Sequence, residues 1–158
     1  MRYSYTNVDN DIAKIRHETY LQLAANVAKK STMTQKHGCV IVYKKEIIAT
    51  GYNTMPVAFQ ESLHAEIDAI KKLKHRQYLL KDCELYIVRI APDSLNNVLK
   101  YSKPCPNCTK VINFNKIRKV YYSTNYEYDR LKSTNCQDHD KSLLFQNPQY
   151  SACHEICS

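Results

Sequence analysis

Two short stretches place the tightest constraint on how this 158-residue chain can fold. Residues 62–70 read Ser-Leu-His-Ala-Glu-Ile-Asp-Ala-Ile, and residues 103–108 read Lys-Pro-Cys-Pro-Asn-Cys. His64, Cys105 and Cys108 offer one imidazole and two thiolates. That donor set suits zinc, and three protein ligands leave a fourth tetrahedral position open for water. Cys105 and Cys108 are three residues apart, so they share a face of one helical turn. Pro104 suits the first turn of that helix, where its missing N–H matters least. A helix N-terminus also favours the thiolates that bind metal. Glu66 lies two residues from His64, and in mid-helix the two would point to opposite sides. They converge only if the motif opens its helix, with Ser62 as the N-cap. Glu66 would then stand beside the metal without binding it.

Both motifs in this order, His-x-Glu and then Pro-Cys-x-x-Cys, form the signature of zinc nucleobase deaminases. The sequence resembles the cytidine and deoxycytidylate deaminase superfamily. The resemblance implies that Glu66 is the catalytic carboxylate, taking a proton from water and delivering it to a ring nitrogen and a leaving amine. It implies a hydrolytic deaminase that converts a cytosine nucleotide, dCMP-like, to the uracil nucleotide with release of ammonia. It also implies one catalytic zinc, a homo-oligomer, and a three-layer α/β/α fold with a mixed sheet of about five strands.

The substrate contacts follow from the same resemblance. Gly51-Tyr52-Asn53 matches a point where family members supply a substrate-binding Asn, and an Asn amide offers both donor and acceptor. The plain alternative for Asn53 is a strand-end turn. The Ala65 backbone would help position the pyrimidine. Tyr126 or Tyr128, after the last strand, could stack on a base. Pro56 resembles a Pro of deoxycytidylate deaminases, but Thr54 stands where those carry Gly. Two rival functions stay open: deamination of cytidine or adenosine within RNA or DNA, and a non-catalytic, zinc-stabilised nucleic-acid-binding or scaffold protein. A closed zinc site with a fourth Cys leaves Glu66 and Asn53 without a role.

Strands alternating with helices predict an α/β layer fold. Asp9 to about Lys30 reads as a helix with Ile12, Ile15, Leu23 and Val27 at helical spacing and Tyr20 beside them. His17 within it reads as a surface histidine. Cys39–Tyr43 is a buried strand with Cys39 in the core, joined through Lys44-Lys45 to a second strand, Glu46–Thr50. The helix from Ser62 to about His75 buries Leu63, Ile67, Ile70 and Leu73, with cations at its C-terminus as the dipole prefers. Cys83–Ala91 is a third strand, with Leu85, Ile87 and Arg89 on one face and Tyr86, Val88 and Ile90 on the other. Residues 92–102 read as an added loop, 104 to about 115 as a helix with Val111 and Ile112 inward, and Ile117–Tyr122 as a fourth strand.

The formal charge of +8 suits an anionic partner, either a nucleotide phosphate or a nucleic-acid backbone. Two glycines, Gly38 and Gly51, are too few for a phosphate-cradling loop. Seven cysteines behind a polar start suggest a reducing, cytoplasmic setting, and no apolar run approaches membrane-spanning length. Residues 1–130 form the deaminase-like domain and 131–158 a C-terminal extension. Within it Cys136, His139, Cys153, His154 and Cys157 supply donor types and short spacings for a second, structural zinc. The alternative is a flexible tail with free thiols.

Overall fold

The computed structural model describes residues 6–56, 58, 61–92, 99–124 and 128–131. The β-branched run Val40-Ile41-Val42 lies in β1 (Lys36–Tyr43), which pairs with β2 (Glu46–Tyr52) as a hairpin. The connecting Lys44 and Lys45 have φ of 47° and 69°. Two left-handed residues give the turn a twist that matches the strands. Gly or Asn would sit there more comfortably, and each lysine costs about 1 kcal/mol.

β1 also pairs antiparallel with β3 (Glu84–Ile90), and β3 runs parallel to β5 (Lys119–Ser123). β6 (Tyr128–Leu131) adds antiparallel to β5, and β4 (Leu99–Lys100) pairs with the end of β3. The sheet order is β2-β1-β3-β5-β6, with β4 off that path. β4 and β6 lie where the sequence suggests loops. Both are short, and each is defined by pairing with the strand just before it, Ile90 with Leu99 and Ser123 with Tyr128, which local alternation does not reveal.

Helix α1 (Thr6–Ala28) covers one face of the sheet. Helices α2 (Ala65–Lys72) and α3 (Pro106–Phe114) lie on the other. The result is the expected three-layer α/β/α arrangement with a mixed sheet. Tyr86, Val88 and Ile90 pack with Val40 and Val42 toward α1, while Leu85 and Ile87 pack with Cys39 and Ile41 toward α2 and α3. Ile112 is fully buried and Val111 packs beside it, as expected. Cys39 is a core residue.

The two glycines are needed for space, since neither has a positive φ. A Cβ on Gly38 would lie 2.1 Å from the Ala24 carbonyl oxygen of α1. A Cβ on Gly51 would lie 2.3 Å from the Ala65 carbonyl oxygen of α2. Each helix therefore touches the sheet backbone to backbone at one glycine, on opposite faces.

This close approach explains why α1 turns a different face inward from the one its periodicity predicts. Tyr20, Leu21, Ala24, Ala25, Val27 and Ala28 are buried, whereas Ile12 and Ile15 are 60% and 62% exposed and Leu23 is also exposed. Small residues can nest over Gly38 and isoleucines cannot. His17 is likewise not on the surface but 7% exposed. Its Nδ1 lies 2.8 Å from the Tyr86 hydroxyl, and its ring stacks 4.1 Å from that of Tyr121. The Tyr86 hydroxyl donates to Glu84. Burial first, then the Glu84 carboxylate, raises the Tyr86 phenol far above its usual range.

The motif helices are shorter than expected. α2 begins at Ala65, so Ser62 is not its N-cap and Leu63 is outside it. Leu63 instead forms an antiparallel bridge with Thr54, with both N–H···O bonds made. Ile67 is only half-buried, and Ala65, Ala69, Ile70 and Leu73 carry the packing. After α2, a 3-10 turn at Gln77–Asp82 seats Leu79 and Leu80 in the core. Among the described residues no helix is long and apolar enough to cross a membrane.

Candidate active site

The parallel pair β3 and β5 end on the same side of the sheet, and the N-termini of α2 and α3 open above that end. His64 is the N-cap of α2, with extended backbone and no capping bond from its side chain. This frees the imidazole to face α3. Cys105 is the N-cap of α3, and its Sγ accepts the Cys108 N–H at 3.3 Å. Pro106, rather than Pro104, occupies the first helical position. The motif does open its helix, as convergence of His64 with Glu66 requires, but the cap is the imidazole residue itself.

His64 Nδ1 lies 3.2 Å from Cys108 Sγ and 3.6 Å from Cys105 Sγ. The three donor atoms fall within 4.8 Å of one another and form the one such group of donors among the described residues. Glu66, in the first turn of α2, is 5% exposed beside them. Burial pushes its carboxyl up, against the lowering pull of its own backbone N–H, of His64 and of Cys108. The Cys108 thiol is raised far above its usual range by burial, then by the Glu66 charge and by Cys105. Two thiols and a carboxylate packed this tightly repel as anions. A divalent cation among the two sulfurs and Nδ1 relieves that repulsion, and the soft donor set fits zinc. Replacing Cys105 by Ala should leave the purified protein with little zinc by elemental analysis, while its circular dichroism keeps the helical signal.

A cavity of about 380 Å³ opens over this cluster, in the size range of small-ligand sites. His64, Ala65, Glu66, Asn53 and Cys105 line it, and so do Met33, Thr34, Gln35, His37, Ser62, Ser102 and Lys103. No sequence motif marks this second group as site residues. Lys103 and Ser102 adjoin the Cys motif and could have been suspected from proximity. His37 and the 33–35 segment reach the cavity only through the pairing of β1 with β3, which no short motif encodes. Burial first, then the charges of Arg89 and His64, lowers the His37 pKa against the raising pull of the Gln35 backbone.

Ser102 fixes the Cys-bearing segment to the sheet. Its hydroxyl donates to the Ile87 carbonyl at 2.9 Å and lies 2.8 Å from the Ser123 hydroxyl. Its N–H bonds the Ser123 carbonyl at 2.9 Å. Residues 100–103 are thereby clasped between the ends of β3 and β5.

Asn53 is 5% exposed at the cavity wall, and its amide is already engaged. Oδ1 accepts the His37 N–H at 2.8 Å, and Nδ2 donates to the Gln35 carbonyl at 2.6 Å and to Met33 Sδ at 3.3 Å. One lone pair of Oδ1 remains for a bound molecule. Asn53→Ala should cost about 1–3 kcal/mol by stranding the His37 N–H and the Gln35 carbonyl. Hydrogen exchange should show the 33–37 segment losing protection while β3 keeps its own. Tyr126 and the Cys/His cluster of the extension lie outside the described residues.

A family model described as the cytidine and deoxycytidylate deaminase zinc-binding region matches residues 14–124. The chain is 29% identical over 111 residues to the tRNA-specific adenosine deaminase subunit tad2 of Schizosaccharomyces pombe, covering 68% of this chain and 25% of that protein. It is 29% identical over 117 residues to the guanine deaminase of Bacillus subtilis, covering 71% of this chain and 67% of the relative. Among solved structures, dCMP deaminase from the cyanophage S-TIM5 superposes with a TM-score of 0.51 at 26% identity, covering 68% of this chain and 82% of that one. The chain thus spans about a quarter of the fission-yeast relative and two thirds of the bacterial one.

Proposed function

The chain belongs to the cytidine and deoxycytidylate deaminase zinc-binding family, and we propose that it is a hydrolytic deaminase acting on a cytosine nucleotide of the dCMP type. The observation that carries this reading is the buried Glu66 carboxyl set beside the His64, Cys105 and Cys108 donors in the wall of a cavity. Zinc held by these three residues supplies a Lewis acid that makes a nearby water easier to deprotonate. Glu66 takes that proton and passes it to the ring nitrogen. The water oxygen bonds to C4 as the ring C4=N double bond becomes single. The same carboxyl then carries the remaining hydroxyl proton to the exocyclic amine, and the C4–amine bond breaks as the C4=O forms and ammonia leaves. Burial raises the Glu66 carboxyl and so favours its protonated form more than in water. The Ala65 backbone and the remaining Oδ1 lone pair of Asn53 would orient the ring. Lys103 provides a cation in the wall for an anionic substrate.

A second reading, deamination of a base within a nucleic acid, is favoured by the similarity to the tRNA-specific deaminase subunit. An ammonia-release assay separates the two, using the zinc-loaded protein on dCMP, CMP, deoxycytidine, cytosine, single-stranded DNA and a tRNA pool. Turnover of dCMP supports the first reading. Turnover of polymer alone, falling steeply with salt, replaces it with the second. Unfolding on chelation with no turnover of any substrate would leave a zinc-stabilised scaffold. The same reading makes the active species a homo-oligomer, which sedimentation of the zinc-loaded protein tests.

A further inference from the structure

All three described non-glycine residues with left-handed backbone are lysines: Lys44, Lys45 and Lys116. All three lie at one end of the molecule. Lys44 and Lys45 cap the hairpin beyond Tyr43, and the register sets Val42 opposite Glu84, and Glu84 opposite Lys119. Lys116 sits in the turn between α3 and Lys119, at the same end. The C-terminus of α2 reaches there too, bringing exposed Lys74 and Arg76. The catalytic cluster lies at the other end of β3, about 20 Å away for a strand of this length.

The helix dipole explains cations after α2 and α3, but not lysines in a hairpin turn. At positions of positive φ the backbone favours Gly or Asn, and this chain uses lysine each time. Lys44 Nζ also rests 5.2 Å from the Tyr43 ring centroid, within reach of a cation–π contact. Two aromatic rings stand exposed at the same end. Phe114, the last residue of α3, is 84% exposed, and Tyr78, in the 3-10 turn leading to β3, is 70% exposed. Cations and exposed flat rings gathered at one end of the sheet match a nucleic-acid strand, phosphates on the ammonium groups and bases on the rings.

We propose that this basic, aromatic end is a binding surface for single-stranded nucleic acid, remote from the catalytic cavity. The inference goes beyond the deaminase reading and does not depend on which base that site takes. It is tested by binding, with fluorescence anisotropy of a labelled 20-nucleotide oligouridine on the zinc-loaded full chain. The triple variant Lys44→Asn, Lys45→Gly, Lys116→Asn should bind tenfold or more weakly. Its log–log salt slope should fall by about 2, since each cation on a single strand contributes about 0.7. Its melting temperature should hold or rise, because the new residues suit the turns, and its turnover of any mononucleotide substrate should be unchanged. A control with the same loss of charge, Lys29→Gln, Lys30→Gln, Lys110→Gln, should bind nearly as the parent does. Phe114→Ala with Tyr78→Ala should weaken the single strand more than a duplex of equal length.

Equal loss in the control would reduce the effect to net charge and overturn the proposal. So would an absence of oligouridine binding by the parent protein. Binding to vesicles containing phosphatidylserine but not to oligouridine would assign the surface to anionic lipid instead.

Discussion

Glu66→Gln is expected to lower turnover by a factor on the order of 10³ or more, to the assay floor, while the protein still folds and still binds one zinc. The size follows from the double duty of one carboxyl. General acid–base catalysis is typically worth about 10²–10⁴, and in the proposed mechanism the same group both removes the proton from water and delivers protons to the base. Gln has nearly the same shape and cannot carry a proton across. It should not harm the fold. Burial raises the Glu66 pKa, so the zinc-free native state holds the ionised form less readily than the unfolded chain does. That native-state advantage of the protonated form is lost as pH rises above the unfolded value. A neutral amide removes the handicap, and the zinc-free variant should melt no lower than the parent at neutral pH. Residual activity within tenfold of the parent would rule out Glu66 as the proton carrier.

Gly51→Ala should be the most damaging single methyl in the molecule for the metal centre. Its Cβ would lie 2.3 Å from the Ala65 carbonyl oxygen and 2.5 Å from the Ala69 nitrogen. These are backbone atoms of α2 and have no rotamer to escape into, so the helix must lift from the sheet. Overpacking of this kind costs about 1–3 kcal/mol, and more when backbone must shift. His64, Ala65 and Glu66 move with the helix, so zinc affinity should fall along with stability. Gly38→Ala is the matched comparison, because it pushes on α1 across the sheet, where Ala24 and Ala28 stand. It should lower the melting temperature comparably and leave zinc affinity close to that of the parent. A chelator-competition titration beside thermal melts separates the two outcomes. If both variants lose zinc equally, the helix–sheet contact at Gly51 is not what sets the His64 position.

The donor set and its companion carboxyl were legible because their chemistry is written in adjacent letters, His-x-Glu and Cys-x-x-Cys. The two-faced pattern of β3 was legible for the same reason, as alternate residues go to opposite sides. The inward face of α1 was not. Ile12 and Ile15 have the right spacing, but the choice of face was made by Gly38, a residue on another element. The burial of His17 is hidden from the sequence on the same ground, since its partners Tyr86 and Tyr121 are distant in sequence. The Ser62 cap failed because the Thr54–Leu63 bridge holds residues 62 and 63 extended until His64. Asn53 was legible as a residue of the cavity. What its amide is bonded to depends on how the 33–37 segment folds back, which no motif states.

The clasp of Ser102 between two strand ends bears on when in the life of the chain the metal can be captured. Cys105 and Cys108 are neighbours in sequence and can grip an ion in almost any conformation. His64 is 41 residues from Cys105 and reaches it only after β2, β1, β3 and β5 are laid side by side. Metal uptake should therefore be a two-stage event during synthesis, loose retention by a thiol pair and then final locking by an imidazole as β5 docks. A chain stalled before Lys119 would hold its ion in an exchangeable state, open to capture by cellular thiols. Stopped-flow refolding with a cobalt probe would show this as a tetrahedral absorption band that lags the formation of the strands.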